Sequence, residues 1–301
     1  MPLDYKNAVT QKEYEIYFNR RIPLWLRGLV FDKAAKIFFR ILKNVKYDKD
    51  LLIMPYLELC ITPLCNLRCK KCANFMPLYS NASNYKIENI LPPFDKVMSS
   101  IDSVIWFRIL GGEPFLHPNL DDIVRHCSKN KKIDHVEIVT NGTILPSDNT
   151  INMLQETKSI VYISNYDYAS IRRDSLMNKL QKYNISYICE ENLEWEDMGN
   201  GQRFNYSIQQ VKNVYMACTD ICKTLIQWEL HICPRSAHGT ALGIIKKKEG
   251  NYIDIMKGDS LALRSAIRAL YNLESIEACY HCTEPKRNMI IAGEQIIQGN
   301  S

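Results

Sequence analysis

At 301 residues the chain is long enough to bury a full core, and it reads as one large domain with a smaller appendage. Lys and Arg number 38 against 33 Asp and Glu, a net charge of +5 that gives no grounds for a nucleic-acid partner. Eleven cysteines are many for a reducing compartment, but most fall into two groups with metal-like spacing, which makes disulfides the weaker explanation.

The opening Met-Pro-Leu-Asp-Tyr-Lys lacks a charged segment leading into an apolar one, and no run approaches the roughly 20 apolar residues of a membrane span. A cytoplasmic protein is therefore expected. Residues 12–45 read as amphipathic helix broken near Pro23, with Lys33, Lys36, Arg40 and Lys43 on one stripe and Ala34, Ile37, Phe38 and Ile41 on the other. Residues 1–55 form a helical extension in this reading. It either packs across the following domain or makes peripheral membrane contact through the basic face of residues 23–45.

From Leu57 a strand, loop and helix pattern repeats, which predicts an α/β fold with a parallel sheet and crossover helices. Strands are predicted at 57–62, 104–110, 135–140, 160–164 and 185–190, and helices at 86–101, 119–130, 147–157 and 169–183. Directly after the first strand come Cys65, Cys69 and Cys72 in a CxxxCxxC spacing. Thiolates hold iron–sulfur clusters, usually four per cluster, so three would leave one iron of a four-iron cluster open to a small molecule. A structural zinc site is the competing reading, and it would use four closed ligands. Gly111-Gly112-Glu113-Pro114 ends the second strand, Thr140-Asn141-Gly142 the third, and Ile163-Ser164-Asn165 the fourth. Asn and Gly also end strands as ordinary turn chemistry.

After residue 215 the alternation stops and Cys218, Cys222, Cys233, Cys279 and Cys282 follow. Residues 224–232 alternate like a β-hairpin, and 258–273 read as a helix. Cys60, within a strand, and Cys127, within a helix, are expected to be small core residues.

The CxxxCxxC run and the Gly-Gly-Glu-Pro bend together resemble the signature of the radical S-adenosylmethionine (SAM) superfamily. That resemblance implies a partial (β/α)6 TIM-like barrel over residues 56–214, with SAM on the open iron of a 4Fe-4S cluster held by Cys65, Cys69 and Cys72. Reductive cleavage of SAM then gives a 5'-deoxyadenosyl radical that abstracts hydrogen. Gly111, Gly112, Glu113, Pro114, Asn141 and Ser164 are the implied SAM-pocket residues, and Arg172 or Arg173 could pair with the SAM carboxylate. Lys71 departs from the family, in which an aromatic residue commonly stands there against adenine.

Residues 215–301 resemble the short C-terminal twitch/SPASM module, a β-hairpin and helix carrying an auxiliary 4Fe-4S cluster. The implied ligands are Cys218, Cys233, Cys279 and Cys282: Cys218 stands at a distance before Cys233 typical of the module's first ligand, while Cys222 is rather close to Cys233 and is spare; a zinc site is again the alternative. A spare thiol such as Cys222, or alternatively Cys189, could donate hydrogen in an epimerisation, whereas electron transfer to the second cluster would give oxidation. Arg235, His238 and Glu229 are candidates for substrate contact or proton removal, with Arg235 alternatively bonding the cluster sulfurs or stabilising its loop. The combination resembles aminoglycoside-pathway dehydrogenases and epimerases and polysaccharide-pathway radical SAM proteins. It implies a sugar or cyclitol substrate and a flavodoxin- or ferredoxin-type reductant; a peptide maturase is the alternative within the family.

Overall fold

The computed structural model describes residues 52–166, 170–189, 193–218, 222–284 and 287–296. The predicted helix over residues 12–45 and its membrane contact lie outside them. Alternation along the strands dictates the architecture. β1 (Ile53–Thr62), β2 (Ser103–Gly111), β3 (Val136–Thr140), β4 (Ile160–Ile163) and β5 (Tyr187–Cys189) pair in parallel, in sheet order 5-4-3-2-1. Leu57, Leu59, Ile61, Phe107, Ile109, Val136, Ile138, Val161 and Ile163 belong to the main core. Against that face pack buried residues of α1 (Leu91–Ser100), α2 (Leu120–Ser128), α3 (Asp148–Thr157) and α4 (Ser170–Lys182), each crossing between consecutive strands.

The other strand face is polar and aromatic. Tyr56, Glu58, Trp106, Arg108, Glu137 and Tyr162 are all buried there. Arg108 Nε and Trp106 Nε1 donate to Glu137 Oε2 at 2.9 and 2.6 Å. The guanidinium lies 4.4 Å from the Trp106 ring and 4.2 Å from that of Tyr162. Burial raises the Glu137 pKa, but hydrogen bonds from His135, Trp106 and Arg108 and the charge of Arg108 outweigh it and hold the carboxyl at about 2. Its contribution to stability, about 3 kcal/mol, is present above the unfolded carboxyl range near 4.3 and is lost as the pH falls towards 2. Arg108→Met should cost about 3–5 kcal/mol by leaving a buried charge uncompensated, and Arg108→Met/Glu137→Gln less than the single change. Urea unfolding of both variants checks this.

The partial barrel is present, with one departure in strand order. After β6 (Glu194–Glu196) and α5 (Ile208–Met216), strand β7 (Lys223–Ile226) joins parallel to β1, at the edge opposite β5. There it pairs an edge of β1 that would otherwise be bare. Antiparallel β8 (Glu229–His231) and β9 (Tyr252–Asp254) extend the sheet. The predicted hairpin thus exists, and its first strand is the sixth parallel strand. Between β8 and β9, α6 (Pro234–Ala241) sets Ala237 against Cys60 and Ile226 on the polar-aromatic side of the sheet. α7 (Ser260–Leu270) packs on α1, and β10 (Met289–Ile291) pairs with β6 in a separate ribbon.

Two boundaries differ from the sequence reading for physical reasons. The helix expected from residue 86 starts at Leu91, because Pro92 and Pro93 supply no N–H and suit only a first helical turn. β1 starts at Ile53, before the expected Leu57; among the described residues its segment before Leu57 pairs with β2 alone, where Pro55 is tolerated. Among the described residues, no helix is long and apolar enough to cross a membrane.

Candidate active site

The loop after β1 is anchored before any ligand is considered. Gly112 N–H donates to Thr62 O at 2.7 Å and Glu113 N–H to Leu64 O at 2.8 Å, so the Gly-Gly-Glu bend continues the β1–β2 pairing into the cysteine loop. Glu113 is fully buried and accepts from Phe115 N, Thr140 Oγ1 and Asn141 N at 3.0, 2.9 and 2.8 Å. Burial pushes its pKa up to about 7, and these donors oppose that rise. The carboxylate therefore latches the bend of β2 to the end of β3.

Cys65 and Cys69 of the loop each have an N–H aimed at sulfur. Leu67 N lies 3.4 Å from Cys65 Sγ and Gln295 Nε2 lies 3.2 Å from Cys69 Sγ. Phe75 N–H donates to Cys72 O at 3.0 Å, and burial pushes the Cys72 thiol up against the opposing backbone amides of Met76, Asn74 and Phe75. Phe75 is in the left-handed region at φ 56°, which opens a 3-10 turn at Met76–Leu78. Burial pushes the Cys65 thiol up to about 12. Buried sulfurs ringed by amide donors suit thiolates whose charge is shared with iron. No three His, Cys, Asp or Glu side chains among the described residues converge on one ion. A cluster asks for a wider spread, because each thiolate binds a different iron.

The other expected pocket residues divide. Asn141 braces the loop: its Nδ2 donates to Asn66 Oδ1 at 2.9 Å, and its Oδ1 accepts from Thr143. Ser164 continues the β3–β4 pairing through its N–H to Thr140 O at 2.9 Å and is half-buried. Arg173 bonds Asn165, and Arg172 Nη1 lies 3.4 Å from Thr143 O. Lys71, at the departing position, reaches Asp197 Oδ2 at 3.0 Å.

Of the second cysteine group, Cys218 and Cys282 both act electrostatically on Cys279 and on Arg287. Burial pushes the Cys279 thiol up to about 12. Arg287 Nε is buried without a hydrogen-bond partner among the described residues, a donor left for an acceptor such as a cluster sulfur. Cys233 caps α6, accepting from Ser236 N at 3.4 Å, and α6 packs on the 3-10 turn Glu277–His281 that carries Cys279. Cys222 is placed elsewhere: it acts on Tyr56, at the foot of the polar-aromatic sheet face. Pairing of Leu57 with Lys223 sets Cys222 level with Tyr56, six residues below Thr62, or about 20 Å along the strand from the cysteine loop. Cys189 is in register with Ile163 and packs into the helix-side core, away from that face. Cys60 and Cys127 are core residues, as expected.

Arg235 and His238 are more enclosed than sequence reasoning expected. Arg235 lies 4.5 Å over Phe75 and donates to Gly199 O and His281 O at 3.2 and 3.0 Å. It also acts on Cys72 and so stands between the two cysteine groups. His238 is fully buried between Tyr79 OH at 2.8 Å and Cys60 Sγ at 3.7 Å, and burial, with help from His231, depresses it to about 3. It stays neutral at working pH and faces no open surface. Glu229 bonds His231 Nε2 at 3.0 Å and pairs with Lys247. Gln295 and Asp197 were not foreseen as partners of the loop, since nothing local in sequence links them to it.

Residues 59–183 match the Radical SAM superfamily, and this part of the chain is a radical SAM domain, with SAM and a 4Fe-4S cluster as its cofactors. Curated relatives include GTP 3',8-cyclase of Aquifex aeolicus (strain VF5), 33% identical over 104 residues, covering 33% of this chain and 31% of that protein. Another is GTP 3',8-cyclase of Stenotrophomonas maltophilia (strain K279a), 35% identical over 99 residues, or 31% and 28% of the two chains. The matched region is thus about a third of those relatives' length. Among solved structures, BtrN in complex with AdoMet and 2-DOIA is 16% identical with a TM-score of 0.43, covering 79% of this chain and 94% of that one. Streptococcus suis SuiB bound to S-adenosylmethionine is 18% identical with a TM-score of 0.38, covering 61% and 44%.

Proposed function

We infer that the chain takes a hydrogen atom from a carbon of a sugar, nucleotide sugar or cyclitol and yields an oxidised or epimerised product. In this reading Cys65, Cys69 and Cys72 hold the cluster, Gly111, Gly112, Glu113, Pro114, Asn141 and Ser164 frame the SAM pocket, and bound SAM supplies the 5'-deoxyadenosyl radical. Cys218, Cys233, Cys279 and Cys282 hold an auxiliary cluster in a module spanning residues 215–301, and a flavodoxin- or ferredoxin-type protein delivers the electron. Cys222, the hydrogen-donor candidate of the sequence reading, lies about 20 Å along the strand from the cysteine loop, and Cys189 is on the helix side, so both are set aside as donors.

The observation that carries the substrate class is the polar-aromatic sheet face. A closed barrel is filled with branched aliphatic side chains. Here Glu58, Arg108 and Glu137 line that face among the rings of Tyr56, Trp106 and Tyr162. Arg108 and Glu137 satisfy one another, but Arg108 Nη2 is buried without a hydrogen-bond partner among the described residues, a donor left for an acceptor such as a hydroxyl group.

The test is anaerobic incubation of the reconstituted chain with SAM, reductant and a panel of nucleotide sugars in deuterated water. Deoxyadenosine should rise with one sugar, whose product gains a deuterium if it is epimerised or loses two hydrogens if it is oxidised. Cys222→Ala, about 20 Å from the cysteine loop, should keep both SAM cleavage and deuterium incorporation. Deoxyadenosine formation that no sugar stimulates would remove the substrate assignment, and a colourless zinc protein would remove the cluster assignment with it.

A further inference from the structure

Residues 293–296 lie along the cysteine loop. Cys69 and Gln295 form an antiparallel bridge, Lys70 N–H donates to Glu294 O at 2.7 Å, and Ile296 N–H donates to Arg68 O at 2.8 Å. The segment enters from β10, which pairs with β6, and turns at Gly293 with φ +71°. A Cβ there would fall 2.8 Å from the Tyr166 ring, so the turn sits flush against the end of β4. These contacts hold the segment without help from the Gln295 side chain.

The Gln295 amide has one workable orientation. Its Oε1 accepts from Arg68 N at 2.8 Å, while its Nε2 donates to Gly293 O at 2.6 Å and to Cys69 Sγ at 3.2 Å. Rotating the amide by half a turn would set an oxygen against a carbonyl and a sulfur, and an NH2 against an N–H. One N–H is therefore committed to the sulfur of Cys69, which is itself buried.

We propose that Gln295 is a positioning residue of the SAM-binding cluster: by donating to the Cys69 sulfur it raises that cluster's reduction potential, and residues 293–296 are the strap that holds it there. The proposal rests on Cys69 being a cluster ligand. A hydrogen bond to thiolate stabilises the cluster more when it carries the extra electron, because the added negative charge is partly on sulfur. Removing the donor disfavours the one-electron reduction that SAM cleavage requires. Glutamate in its place would keep an acceptor for Arg68 N–H and turn a second oxygen towards the sulfur, with the larger effect.

EPR-monitored redox titration of the full, reconstituted chain tests this. The signal that changes on adding SAM identifies the cluster with the open iron. Gln295→Leu should lower its midpoint by about a tenfold shift in the reduction equilibrium, 59 mV for one electron, and Gln295→Glu by more. Glu294→Gln removes only the exposed pair with Lys70 at 2.5 Å and should leave the midpoint in place. If Gln295→Leu loads less iron, the loaded fraction still reports, since the titration reads only molecules that carry the cluster. A midpoint in Gln295→Leu and Gln295→Glu equal to the parent's overturns the role of Gln295. Absence of any SAM-responsive cluster in the parent overturns instead the ligand assignment beneath it.

Discussion

Replacing Cys69 with alanine is expected to abolish deoxyadenosine formation, a loss of at least about a thousandfold, or 4 kcal/mol of barrier, while leaving the fold in place. Two thiolates cannot hold a cubane that already lacks its fourth protein ligand. The loop, however, does not depend on the cluster for its course. It is tied by Gly112 N–H to Thr62 O, Glu113 N–H to Leu64 O, Asn66 Nδ2 to Thr143 Oγ1, Lys71 to Asp197, and Lys70 N–H to Glu294 O. Circular dichroism and the urea midpoint of Cys69→Ala should therefore stay near the parent's. Iron should fall by about half, from roughly eight atoms per chain to four, if the second cysteine group carries its own cluster. A zinc site at the loop predicts the reverse pattern: a clear loss of stability and no iron to lose, because structural zinc contributes folding energy outright.

The parts legible in sequence are those with a local signal. Strands β1 to β5 announce themselves by branched and aromatic runs, and the Ser147 cap of α3, whose side chain accepts from Thr150 N at 3.1 Å, shows in the Pro-Ser-Asp lead. The α6 helix, which the strand-and-hairpin pattern hides, has a local signal too: Cys233 followed by Pro234 is an N-cap with proline at the first helical position. That helix explains why His238 is buried rather than poised, since its turn sets the imidazole between Tyr79 and Cys60. What stayed invisible is long-range pairing. Lys71 and Asp197 stand 126 residues apart, and Arg68 and Gln295 stand 227 apart. Such partners follow from chain topology, not from periodicity. The return of β7 to the β1 edge is of the same kind: its four residues read as half of a hairpin, and nothing in Lys223-Thr-Leu-Ile226 says which strand lies on the other side.

Gly112→Ala is expected to cost the chain its SAM-binding cluster although it replaces no cluster ligand. A Cβ on Gly112 would lie 2.2 Å from Leu64 O, 2.5 Å from Leu64 C and 2.8 Å from Cys65 Cβ. These are main-chain atoms and the root of a ligand side chain, so no rotamer relieves the overlap. The β2 side of the contact cannot retreat either. Glu113 is latched to Thr140 and Asn141, and a Cβ on the neighbouring Gly111 would already meet Thr62 O at 2.2 Å. The loop bearing Cys65 must therefore move, and a shift of an ångström separates it from Cys69, which is held by the 293–296 segment on the far side. Overpacking of this kind costs about 1–3 kcal/mol in stability, and iron loading and SAM cleavage should fall towards those of Cys69→Ala. Gly250→Ala is the control. Its φ of +81° makes an added Cβ strained, yet nothing lies within 4 Å of it, so about 1–2 kcal/mol of stability should go with iron and SAM cleavage unchanged. Comparable destabilisation in the two variants, with the cluster lost only from Gly112→Ala, separates displacement of the loop from weakening of the fold. A Gly112→Ala chain that loads iron and cleaves SAM like the parent would show that the loop finds its place without the seat that the two glycines leave open.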